Sequence, residues 1–149
     1  MADLDHRFMT PPFLRMTSRR RGADGTDIYV WDLRVGQPNV SHVAMNVVHS
    51  LEHFLGSQLR AASNDIIAVA PMGCQTGFYI VTCGAAGQED LAALLSNALQ
   101  AVLDATEVPL ANPVQCGWAE NHSLAGAKEV AGWLLRRRSE WFAAESQSQ

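Results

Sequence analysis

An α+β fold, with about three to four helices packed on a mainly antiparallel sheet, is predicted by three features of the sequence. Two pairs of β-prone runs are each joined by a short turn-forming segment, longer stretches repeat apolar residues at helical spacing, and no linker or internal repeat divides the chain. The 149 residues suffice for one sizeable core, so residues 1–149 are read as a single domain.

The first pair of runs is 13–20 (FLRMTSRR) and 27–35 (DIYVWDLRV), flanking GADG at 22–25, which suits the turn of an antiparallel hairpin. Gln37-Pro38-Asn39 breaks the pattern, and residues 42–62 then read as a helix, with no proline and no glycine before Gly56. Val43, Val47, Leu51, Leu55 and Leu59 recur every four positions and give it one apolar stripe. DIIAVA at 65–70 and GFYIVTC at 77–83 form the second pair of runs, joined by PMGCQT, whose proline and glycine fix a bend. Helical spacing returns over 88–105, where Leu91, Leu94, Leu95, Leu99, Val102 and Leu103 share a face. A loop with Pro109 and Pro113 leads to QCGWAENHSL, and a last helix is expected from about Ser123 to Ala144, with His122 or Ser123 near its cap. Trp118, Trp133 and Trp141 are read as packing residues in or beside that helix.

With 48% hydrophobic and 17% charged residues, the composition is that of an ordinary globular protein. A formal net charge of -4 gives no reason to expect nucleic acid as a partner, and the runs Arg19-Arg20-Arg21 and Arg136-Arg137-Arg138 read as solvated. The opening MADLDHRF is polar, and no apolar stretch approaches the roughly 20 residues of a membrane span, so no membrane partner and a cytoplasmic location are expected. Three cysteines, Cys74, Cys83 and Cys116, are an odd number, and free thiols are the default in a reducing compartment.

Chemistry concentrates first in VVHSLEHFLG at 47–56. On a helix, His49 and His53 lie about 40° apart and one turn on, so both imidazoles can reach one ion, with Glu52 beside them as a proton carrier or a partner to the ligands rather than a necessary ligand. The same three residues also fit the polar edge of an amphipathic helix. A catalytic tetrahedral site takes three protein ligands and keeps one position open. Cys116 is the best candidate for the third, with His6, His42 and His122 competing; His42 is disfavoured, seven residues before His49. Thiolate and imidazole together suit zinc or ferrous iron. Cys74 lies in the small-residue bend PMGCQTG, where a metal or Arg34 can lower a thiol pKa of about 8.5 and make it a general base; a cysteine chosen for its size fits there too. Cys83, within a strand, reads as core. Arg34 ends its strand either as a clamp on a substrate oxygen or as a surface partner near Asp32.

Five stretches together resemble the S-ribosylhomocysteine lyase (LuxS, autoinducer-2 synthesis) family: LDHR at 4–7, WDLRVGQPN at 31–39, HSLEH at 49–53, PMGCQTGFYIV at 71–81 and QCGWAENHSLAGA at 115–127. The resemblance implies His49, His53 and Cys116 as metal ligands, Cys74 and Glu52 as the acid/base pair, and Arg34 and His6 as substrate-pocket residues. It further implies a homodimer with pockets at the subunit interface, a native Fe2+ that Zn2+ or Co2+ can replace, and a small-molecule substrate. The implied reaction is metal-dependent, non-redox cleavage of S-ribosylhomocysteine to homocysteine and 4,5-dihydroxy-2,3-pentanedione. The chain departs from the family pattern at PPF (11–13), where APY is usual, and at Ala68, where the family places an acidic residue. These departures keep two other expectations in play, a paralogue acting on another S-ribosyl thioether or sugar and a metal-containing dimer that binds a ligand without turnover. A zinc peptidase built on HxxEH is disfavoured, because Cys74 would then have no role.

Overall fold

Antiparallel pairing gathers the four β-prone runs into one sheet. The computed structural model describes residues 4–143. Among them the order is β1 (Phe13–Arg21), β2 (Asp27–Arg34), α1 (Met45–Ala62), β3 (Ile66–Pro71), β4 (Gly77–Cys83), α2 (Gln88–Asp104) and α3 (Leu124–Arg136). Single 3₁₀ turns lie at His6–Phe8 and Arg138–Glu140. Both expected hairpins form, and β2 and β4 join them side by side, giving the strand order β1-β2-β4-β3 with every neighbour antiparallel. The register pairs Arg34 with Gly77, so the end of β2 meets the turn that carries Cys74 and Thr76.

Strand alternation sorts the side chains onto two faces. Leu14, Trp31, Leu33, Phe78 and Ile80 join Leu51, Leu55 and Leu59 of α1, Leu95 and Leu99 of α2 and Leu134 of α3 in the main core. Phe13 packs separately with Leu4 and Met9, and Arg15, Asp32 and Arg34 are buried despite their charge. The α+β expectation is met.

Two helix boundaries differ from expectation. The first helix starts at Met45 rather than 42, because Val43 is held by the β3–β4 turn: its N–H donates to Gln75 O at 2.9 Å and its carbonyl accepts from Gln75 Nε2 at 2.7 Å. The last helix stops at Arg136, well short of Ala144, which lies outside the described residues. Arg137 leaves helical geometry (φ -107°, ψ 22°), and the following 3₁₀ turn swings Trp141 into the core. Its indole N–H donates to Leu134 O, and its carbonyl accepts from Leu14 N–H on β1. Trp133 is half-buried against the core, whereas Trp118, expected to pack, is 62% exposed.

The beginning of α3 positions the site. Ser123 caps it, its Oγ accepting from Gly126 N–H at 3.0 Å, and this satisfies a donor that the first helical turn leaves without an intrahelical partner. A Cβ at Gly126 would overlap the Val47 side chain of α1, so glycine lets the two helices approach there. No helix among the described residues is long and apolar enough to cross a membrane.

Candidate active site

The polar flank of α1 and the loop before α3 converge. One ligand-type atom each from His49, His53, Cys116 and His122 lies within 4.8 Å of all the others. His49 and His53 come from successive turns of α1. Cys116 is presented by a wound loop in which Asn112 Oδ1 accepts from Val114 and Gln115 N–H and its carbonyl accepts from Cys116 N–H. The spacing of His49 and His53 thus corresponds to two clustered imidazoles, and Cys116, offered by its type and loop position, lies with them. His122, weighed as a competitor of Cys116, joins the group alongside it, while His42 and His6 do not.

Hydrogen bonds decide which ring nitrogen faces inward. His49 Nδ1 lies 2.9 Å from Asn121 O and His53 Nδ1 lies 2.8 Å from Pro109 O. A carbonyl only accepts, so each Nδ1 donates its N–H outward and Nε2 is the nitrogen left for the cluster. For His122 the argument runs through Ser50, which is fully buried. The Ser50 hydroxyl donates to Asn46 O at 2.8 Å and accepts from Ser123 N–H at 2.9 Å; its contact with His122 Nδ1 at 3.0 Å must then be one it accepts. Burial, then the neighbouring His49 and His53, lower the His122 pKa and favour its neutral form. Three inward ring nitrogens face one sulfur, a donor set that a cation satisfies.

Distances support that fit. Metal–nitrogen bonds of about 2.0–2.1 Å and a metal–sulfur bond of about 2.3 Å give a tetrahedral S···N edge of about 3.6 Å. Cys116 Sγ lies 3.5 Å from His49 Nε2 and 3.6 Å from His122 Nε2. The His49 and His122 rings stack at 4.0 Å between centroids, and His53 meets His49 edge-on at 4.8 Å.

Cys74 occupies a second centre. It is exposed on the β3–β4 turn, and its Sγ lies 3.0 Å from Thr76 Oγ1. Behind it, Arg34 donates through NH1 to Thr76 Oγ1 at 2.8 Å and holds Asp32 with Nε and NH2, at 3.1 and 2.7 Å. Arg34 is therefore a buried residue paired to Asp32, not a surface ion pair. Partial burial raises the Cys74 thiol, but the Thr76 hydroxyl and backbone N–H, with the Arg34 charge, outweigh it and hold the thiol below its ordinary value. All three cysteines are free, and Cys83 is half-buried on β4, apart from both centres.

The two centres open on different cavities. Glu52 and His53 line one with Gly56, Ser57, Arg60 and Gln115. Cys74 and Thr76 line another, of about 540 Å³, with His6, Asn39, Ser41 and His42. Arg34 and His6 share a third with Asp32 and Tyr79. Sequence reasoning missed Ser50 and Thr76, and it offered the pairing of Arg34 near Asp32 only as a surface contact, whereas the pair is buried. The short HS pair before α3 was the signal for a histidine fixed by a helix cap, and Thr76, two residues from Cys74, was the signal for its hydroxyl partner.

Comparison with known proteins adds a sequence-wide match. The family model for S-Ribosylhomocysteinase (LuxS) matches residues 2–145. Relatives named S-ribosylhomocysteine lyase include one from Staphylococcus saprophyticus, 43% identical over 93% of this chain and 89% of that protein. Others come from Listeria monocytogenes, 44% identical over 93% and 90%, and Halobacillus halophilus, 45% identical over 93% and 91%.

Proposed function

The chain belongs to the S-ribosylhomocysteinase (LuxS) family, and on that premise we propose that it is an S-ribosylhomocysteine lyase. It cleaves the substrate thioether without redox change, giving homocysteine and 4,5-dihydroxy-2,3-pentanedione, the precursor of autoinducer-2. The observation that carries this reading on the structural side is the inward convergence of His49, His53 and Cys116, supported by carbonyl acceptors behind both α1 imidazoles. These three residues would hold Fe2+, or Zn2+ or Co2+ in its place, with His122 beside Cys116 as a further donor. When bound, the ion supplies Lewis acidity toward an oxygen of the open-chain sugar.

The chain's own residues carry the protons. Cys74, held toward thiolate by Thr76 and Arg34, takes the proton from C2 and returns it to C1, so that the carbonyl moves to C2; the same exchange between C3 and C2 brings it to C3. Glu52 moves the balancing protons among the hydroxyl oxygens. Removal of the C4 proton then expels the homocysteine sulfur from C5 with the electron pair of the C5–S bond, and the sulfur takes up a proton. Positioned acid/base groups contribute about 10²–10⁴-fold each, so both residues are essential to turnover. His6 binds the substrate beside Cys74, and Arg34, which shares the adjoining cavity with His6, is the second residue assigned to it.

A homodimer brings the centres together, with Cys74 of one copy facing the metal ligands of the other. What supports this is that the Glu52 and Cys74 cavities share none of their lining residues. Residues 1–149 act as one domain per copy, in the cytoplasm. Incubating the metal-loaded protein with S-ribosylhomocysteine and trapping the dicarbonyl with 1,2-diaminobenzene tests the reaction. Equal amounts of quinoxaline adduct and homocysteine are expected; neither product from metal-loaded, folded protein would contradict it.

A further inference from the structure

Behind Cys74, the β3–β4 turn holds a continuous polar chain. Asp32 binds Arg34 at two nitrogens, Arg34 NH1 reaches Thr76 Oγ1, and Thr76 Oγ1 reaches Cys74 Sγ. We propose that Thr76 is the positioning residue for Cys74: its hydroxyl, polarised by Arg34, donates its proton to the sulfur and fixes the thiolate in place and in charge state.

The direction of each bond follows from donor chemistry. A guanidinium has no acceptor, so Arg34 must donate to Thr76 Oγ1. The single hydroxyl proton of Thr76 is then free to point at Cys74, and sulfur accepts it best as thiolate. Asp32 keeps the guanidinium from rotating away by binding Nε and NH2 together. Backbone bonds fix the threonine as firmly: its carbonyl accepts from Val35 N–H at 2.8 Å and from Gly36 N–H at 2.9 Å. Thr76 is 3% exposed, so water does not compete well for its hydroxyl, whereas Cys74 itself opens to the cavity. Thr76 thus passes the influence of a buried cation to an exposed sulfur that the cation does not bind directly.

The proposal rests on reading Cys74 as the proton carrier, and its test reads the thiolate without any substrate, so the two can fail separately. The experiment is the pH dependence of iodoacetamide alkylation at Cys74 in the metal-loaded protein, mapped by mass spectrometry to distinguish it from Cys83 and Cys116. Thr76→Val keeps the approximate shape and removes the hydroxyl; Thr76→Ser keeps the hydroxyl and removes the methyl. The midpoint is expected to rise by about one unit or more in Thr76→Val, matching the loss of a hydrogen bond to a charged group. Thr76→Ser is expected to stay near the parent. His6 and His42 face the same cavity, and Asp32 and Arg34 stand behind it, so the shift is also expected with both histidines replaced by Asn. Should Thr76→Val fail to fold, Thr76→Ala carries the same reading. A hydroxyl-free variant with the parent midpoint overturns the proposal, as do equal shifts in the valine and serine variants, which would mark a role in shape alone.

Discussion

Ser50 shows how much of the metal centre depends on a side chain that would never touch the ion. Its hydroxyl accepts from both Ser123 N–H and His122 Nδ1 and donates to Asn46 O, linking the centre of α1 to the loop that also presents Asn121 to His49. Ser50→Ala leaves a half-buried backbone donor without its partner and frees the His122 ring, at a cost of about 1–3 kcal/mol of stability. Metal affinity is expected to fall about 10- to 100-fold, measured by competition against a chromophoric chelator. Unchanged affinity would mean that the loop is held by other contacts. At this scale the sequence was legible where chemistry follows helical spacing: His49 and His53 had to share a face, with Glu52 at its edge. Cys116 was legible as a thiol of the right type in a loop, but His122 was weighed only as its competitor and not as its companion, because a six-residue separation says nothing about distance until the loop is wound. Thr76 was likewise hidden, since threonine in a turn is ordinary and only the buried Arg34 gives it a task.

The elements were legible through period and punctuation, and they fail where tertiary contacts override both. Strands β1 to β4 fall within a residue or two of the expected runs because alternation and turn residues agree. Residues 42–44 have helical spacing, yet Gln75 holds Val43 against the neighbouring turn, and the apolar stripe counted from Val43 starts inside the helix at Val47 and Val48. Past Arg136, burial of Trp141 prevails over continued helix. The junction of α1 and α3 gives the element-scale test. Gly126→Val drives a side chain into Val47, and overpacking of this kind costs about 1–3 kcal/mol. The expected result is a lower unfolding midpoint and weaker metal binding together, because displacement of α3 carries His122 and Ser123 away from Ser50. A lower midpoint with intact metal affinity would separate the helix junction from the site.

For the whole molecule, two centres on one chain open on separate cavities, and the proposed homodimer would bring them together. The clustered His49, His53 and Cys116 arise from α1 and the loop before α3, and Cys74 arises from the turn between two strands; nothing in the spacing of HSLEH or PMGC reveals whether one chain or two would complete a site. A heterodimer isolated with two tags, one chain carrying Cys74→Ala and the other His53→Ala, is expected to regain about half of the parent activity per dimer, since one composite site remains intact. No recovery would place each complete site within a single chain. The proposed metal ligands and proton carriers both serve the lyase reaction. The most direct test is thiol release from S-ribosylhomocysteine by anaerobically purified, iron- or cobalt-loaded protein, corrected with an enzyme-only blank for its own thiols. Turnover that disappears in Cys74→Ala and in Glu52→Ala is the expected result, and a folded, metal-loaded parent that releases no thiol would contradict the account.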